Sequence, residues 1–171
     1  MNLNVVLSPD GIDKAIKELD QYKDLLRAKL NLFVARLANN GYHVINERKQ
    51  TEGDSDSSFA PTVRIKTGRN TCRATVSISG RDVLFVEFGA GVHYNGSLGS
   101  SPNPKGLELG YYIGSYPQQK HAGEDFWFYQ DESGKWQMSH GTKAGMPMYR
   151  AALSMRAHIA SIAQEVFGSN G

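Results

Sequence analysis

Cysteine occurs once in this chain, at Cys72, so no disulfide forms within it and no cysteine-based zinc cluster is available. Cys72 lies on the apolar side of an alternating segment, where a small core residue is expected. The N-terminus has no basic stretch followed by an apolar core, so no signal peptide is read there. No apolar run approaches the length needed to span a bilayer. Folding in a reducing cytoplasm is the default expectation. Charge of one sign is also scarce: the net charge is +2, and the basic residues are dispersed, with Arg48-Lys49 the one adjacent pair. That argues against a dedicated nucleic-acid binder, which carries a basic patch or stripe. Catalytic signatures are missing as well. The five histidines (His43, His93, His121, His140 and His158) show no short ligand spacing. Gly89-Ala90-Gly91 lacks the third glycine of a dinucleotide loop, and no helix follows it. Asp54-x-Asp56 lacks the closing glutamate of a calcium loop.

What is present suits one α+β domain of 171 residues, 40% hydrophobic and 21% charged. Ser8-Pro9-Asp10 opens a helix, with serine as cap and proline in the first turn. Ile12, Ile16, Leu19, Tyr22, Leu26, Leu30, Phe33 and Leu37 then recur at spacings of three and four. Asn39-Asn40-Gly41 reads as the stop, which gives an N-terminal helix over 8–41. Such a helix is long for a small globule, so part of it is expected to serve a partner. Tyr42 to Asn46 reads as a short strand, and 47–60 as a polar loop.

Residues 62–88 read as a β-hairpin followed by a central strand. Thr62–Lys66 and Thr71–Ser79 alternate around the turn Gly68-Arg69-Asn70. Val83–Phe88 is apolar on both faces except at Glu87, which suggests a strand covered on both sides. Residues 89–124 read as a long glycine-rich loop, expected to be mobile or held by another subunit. Its brief apolar patch contains Tyr111 and Tyr112. Residues 126–139 read as an aromatic hairpin turning at Asp131-Glu132-Ser133-Gly134. Alternation puts Phe126 and Phe128 on one face, and Trp127 and Tyr129 on the other. One pair serves the core; the other, with Trp136, meets a second layer or a partner. Pro147 opens a C-terminal helix over 147–167, closed by Gly168. The expected architecture is an antiparallel sheet with both helices packed on it.

The interface candidates are therefore Trp127, Tyr129, Trp136, Tyr111 and Tyr112. Gly89, Gly91, Gly141 and Pro147 mark places where the backbone bends or starts a helix. A competing reading, a metal-dependent hydrolase or nuclease, would draw on Glu87, His93, Asp125 and His140. No spacing brings those four together.

An ordered series of segments carries a resemblance. It comprises Leu84–Val92, Tyr94-Asn95-Gly96, Pro104-Lys105-Gly106, Gly114-Ser115-Tyr116, the aromatic hairpin, and His140-Gly141-Thr142 through Pro147-Met148-Tyr149-Arg150-Ala151. Over roughly Arg64 to Ala160 the chain resembles the tail-component (neck, or tail-completion) family of long-tailed bacteriophages and prophages. That family's loop Gly-Thr-x-Ala/Pro-x-x-Pro is matched by Gly141 to Pro147; the loop after Gly91 is longer than in its simplest members. The resemblance implies an α+β structural virion protein near the head–tail junction, assembled in the host bacterial cytoplasm. It implies contacts with copies of itself, possibly in a ring, and with other neck or tail proteins. It implies no enzymatic activity, no cofactor, no bound metal, no specific nucleic-acid binding and no membrane partner.

Overall fold

A computed structural model describes residues 6–51, 59–68, 71–80, 82–90, 101–112, 126–131, 133–139 and 141–168. Within them the order is α1 (Pro9–Thr51), β1 (Phe59–Thr67), β2 (Cys72–Gly80), α2 (Val83–Phe88), α3 (Pro104–Glu108), β3 (Trp127–Gln130), β4 (Trp136–Ser139) and α4 (Pro147–Phe167). The fold is α+β: a long N-terminal helix, a C-terminal helix and two small antiparallel sheets. Each sheet is one hairpin, β1–β2 and β3–β4, rather than part of a single larger sheet. No described helix is long and apolar enough to cross a membrane.

α1 runs for 43 residues, past the stop read at Asn39-Asn40-Gly41 and through the strand read at Tyr42–Asn46. The reason lies in its pairing with α4. Arg36 bonds Glu165 at 2.8 Å, and the Ser154 hydroxyl donates to the Asn40 side-chain oxygen at 2.9 Å. The Phe33 and Phe167 rings meet at 5.8 Å. Ascending numbers on α1 thus meet descending numbers on α4, so the helices are antiparallel. At their crossing Gly41 is buried, and a Cβ placed there would lie 2.8 Å from the Met155 sulfur. Gly41 therefore acts as a point of close helix approach, not as a left-handed cap. Glycine costs about 1 kcal/mol in a helix interior. Packing of Ala38 and Ile45 on either side of it offsets that.

The core cluster joins Ile45 of α1, Phe59 of β1, Val86 of α2 and Ala151 of α4. Val76 and Ile78 of β2 and Val83 of α2 pack against it. The β1–β2 register sets Val63 opposite Val76 and Pro61 opposite Ile78. One β2 face, Cys72-Ala74-Val76-Ile78, is half-buried, and the alternate residues are exposed. Cys72 is on the expected face, but near the turn and only half-buried rather than in the core.

The central strand expected at Val83–Phe88 is a six-residue helix, α2. A short run that is apolar on all sides satisfies either geometry, and periodicity does not separate them. Helical spacing sends Val83, Val86 and Glu87 toward β2 and α4. It sends Phe85 and Phe88 to the opposite side, where the Tyr111 ring lies 5.2 and 6.5 Å from theirs. Part of the long loop is likewise helical. Asn103 caps α3 by accepting from the Lys105 N–H, and Gly106 sits so close to Phe88 that a Cβ there would come within 2.9 Å of its ring. The remainder of 89–124, which the mobility expectation concerned, lies mostly outside the described residues. So does the Asp54-x-Asp56 segment.

Candidate functional site

The two most distinctive segments of the sequence, Leu84–Gly91 and His140–Tyr149, meet in space. Ala90 and Thr142 exchange both backbone hydrogen bonds at 2.9 Å, forming an isolated antiparallel bridge. The Gly145 and Met146 N–H groups both donate to the Val86 carbonyl, at 2.7 and 3.2 Å. That carbonyl is one of the acceptors left open at the end of α2. Another, on Phe88, accepts from Ser101 N–H at 3.0 Å.

Gly89 makes the turn out of α2 with φ 78° and ψ 155°. Essentially only glycine adopts that region. Gly141 also has positive φ, 104°. Met146, just before Pro147, is left-handed at φ 58° and ψ 43°. A non-glycine residue there stores strain of about 1–3 kcal/mol, offset by the surrounding bonds. Pro147 is fully buried. Gly91 and His140 lie outside the described residues.

The centre of the joint is Glu87, 5% exposed. Its Oε2 accepts from Met148 N–H at 2.8 Å and its Oε1 from Tyr149 N–H at 2.9 Å. Helix α4 begins without a side-chain cap of its own, because Met146 has no polar atom to offer. Pro147 has no N–H to satisfy, and the next two are those an N-cap side chain ordinarily serves. Glu87 supplies that cap from another helix. Burial pushes its carboxyl above the ordinary 4.5, while the two N–H groups pull it back. The positive end of α4 also favours its negative charge. A shallow apolar cleft of about 300 Å³ opens beside it, lined among others by Val83, Leu84, Phe88, Met148 and Tyr149.

The joint ties α2 to α4 and to the loop that precedes it. Both Glu87 oxygens are committed to α4. His93, Asp125 and His140 lie outside the described residues, as does His121. The described histidines, His43 and His158, are exposed on helices. Among the described residues no group of three His, Cys, Asp or Glu is placed to hold a metal ion.

The aromatic interface candidates separate. Tyr111 is used inside the subunit, against Phe85 and Phe88, and Tyr112 is half-buried beside it in the chain. Tyr129 is 47% exposed and Trp136 63% exposed. Trp127 lies in β3 opposite Ser139; its side chain is outside those described. The register pairs Phe128 with Met138 and Gln130 with Trp136, so Phe128, Met138 and Trp136 share one hairpin face. All three are exposed. Phe128 and Met138 were not singled out in advance; the apolar residues alternating in Trp136-Gln137-Met138 were the available signal. The turn is held by Asp131, which accepts from Ser133 N–H, Ser133 Oγ and Lys135 N–H through Oδ1, and from Gln137 Nε2 through Oδ2. Those donors, the Ser133 hydroxyl first, hold its carboxyl down at about 2. No family model, curated protein or solved structure matches the chain.

Proposed function

We propose that this chain is a structural virion component of a long-tailed phage or prophage, acting at the head–tail junction or in tail completion through subunit–subunit contacts. The observation that carries the reading is where the apolar surface goes. Two of the segments that bear the family resemblance, over 84–90 and 141–151, meet in a joint whose buried carboxylate ties two helices together. Meanwhile the apolar faces of the β3–β4 hairpin and of the N-terminal part of α1 are left outside. Large exposed apolar patches mark interaction sites. Aromatic residues such as Trp136 are favoured as interface anchors. A part of this kind works by being fitted against copies of itself and against neighbouring neck or tail proteins, without a cofactor.

Deletion of the gene is expected to yield filled heads and complete tails that do not join, with infectivity restored by the intact gene. Joined, infectious particles from the deletion strain would refute the reading. A finer test uses Trp136→Ala. With the ring 63% exposed, its loss is expected to shift subunit stability by no more than about 0.5 kcal/mol. Removal of an interface anchor commonly costs about 2 kcal/mol or more of binding. The variant is therefore expected to melt like the parent and fail to complement the deletion. A large drop in melting temperature would place the indole in the core and remove it from the interface.

A further inference from the structure

We infer that the N-terminal arm of α1 is a self-pairing element: two copies of this chain associate through antiparallel packing of Pro9–Leu32. The arm projects beyond α4. Phe167, at the end of α4, lies against Phe33, and every residue from Pro9 to Leu32 except Ala15 is half-exposed or exposed. It is ~36 Å long at 1.5 Å per residue. One face carries a heptad pattern, with Ile12, Leu19 and Leu26 at one core position (d) and Ile16, Lys23 and Leu30 at the other (a), continuing the stripe that reaches α4 at Phe33. The five apolar members are all exposed.

The polar residues decide which partner fits and in which direction. In a parallel, in-register pair, Lys23 would meet the partner's Lys23 inside the seam. The flanking positions would set Ala15 near the partner's Asp20 and Tyr22 near the partner's Arg27, with no opposite charges matched. An antiparallel pair using the whole arm behaves differently. Ile12 packs on the partner's Leu30, Ile16 on the partner's Leu26, and Leu19 on the stem of the partner's Lys23. Asp13 then lies beside the partner's Arg27. At the centre the two-fold brings Asp20 near the partner's Asp20, and Lys23, which already bonds its own Asp20 at 3.0 Å, lies beside the partner's Asp20 as well, so the two lysines offset the repulsion of the two carboxylates. A single polar residue in a heptad seam specifies register in this way. The outer half of the arm, 9–20, sets Asp10, Asp13, Glu18 and Asp20 against Lys14 and Lys17, a net charge of −2, and the inner half, 21–32, sets Lys23, Arg27 and Lys29 against Asp24, a net charge of +2. Reversing one copy brings unlike halves together. The occupant of this face is therefore a second copy of the chain, related by a two-fold axis near Gln21.

The inference stands apart from the virion reading, since the pair forms or does not form whatever larger particle the protein enters. The test uses the full chain with Cys72 replaced by serine. Sedimentation equilibrium is expected to show a dimer that dissociates on dilution. Ile16→Glu is expected to weaken dimerisation by about 100-fold or more, since it places a charge against apolar side chains in two layers. Melting of the subunit is expected to stay unchanged. Direction is read by oxidation. A mixture of Ile12→Cys and Leu30→Cys chains is expected to form disulfide-linked pairs of one with the other, and Ile12→Cys alone is not. A chain that stays monomeric at every concentration would overturn the proposal. So would efficient cross-linking of Ile12→Cys to itself, which marks a parallel pair, or an Ile16→Glu dimer as tight as the parent.

Discussion

Replacing Glu87 with alanine is expected to destabilise the fold by about 2–4 kcal/mol, because two part-buried N–H groups at the start of α4 lose their side-chain acceptor and the carboxylate's own burial is lost. For a domain of this size that lowers the melting temperature by roughly 5–15 °C. Glu87→Gln keeps one acceptor but turns its amide N–H₂ toward the second donor, so a loss of about half as much is expected. The pH dependence has a definite sign. Burial raises the folded carboxyl above 4.5, so the folded state favours the protonated form more than the unfolded chain does. The group's contribution is therefore fully present below the unfolded value near 4.5, and is lost as pH rises through the folded value. Thermal melts of parent and Glu87→Gln across that window are expected to converge as pH rises, since only the parent has this slope. A parent–variant gap that widens with rising pH would mean that the N–H groups and the helix dipole outweigh burial. An alanine variant as stable as the parent would mean that Glu87 does not hold the joint.

The second large effect lies in the core, and it separates the two parts of α1. Ile45 is 0% exposed, at the meeting of α1, β1, α2 and α4. Ile45→Ala is expected to cost about 2–5 kcal/mol, from lost burial and the cavity left behind. That is a large share of the roughly 5–15 kcal/mol that stabilises a domain. Ile16→Ala, on the same helix, is expected to change the stability of the isolated subunit by no more than about 0.5 kcal/mol. Chemical denaturation of both variants at low concentration makes the comparison. Equal losses would mean that the arm is part of the core and not a surface for a partner.

These contrasts also explain which features were legible in the sequence. The α+β class, both hairpins and α4 were, because their signals are local: alternation in Thr71–Ser79, turn chemistry at Asp131 and Gly134, and Pro147 ahead of an apolar stripe. Gly89 announced its turn for the same reason, since its positive φ is a property of one residue. The extent of α1 was not legible. Asn40 and Gly41 have the chemistry of a helix end, and only Ser154 and Met155, far along the chain, make them a helix crossing. Val83–Phe88 reads as a strand because five apolar residues around Glu87 fit a strand or a helix until β2, α4 and Tyr111 take their sides. The part played by Glu87 was hidden by distance. A carboxylate that caps a helix is recognisable directly before the first helical residue, as a local N-cap, but not when it comes from another helix. The tell-tale was negative: α4 starts with Gly145-Met146-Pro147, a sequence with no capping side chain.

The claim that this protein is a joining part of a virion is tested most directly by locating it in the particle. A small tag fused to the chain, bound by a dense label and viewed by electron microscopy in purified, infectious phage, reads the position at once. The account predicts label at the junction of head and tail, or at the end of the tail nearest the head, in most particles. Label absent from infectious particles, with all of the protein remaining free in the lysate, would contradict it.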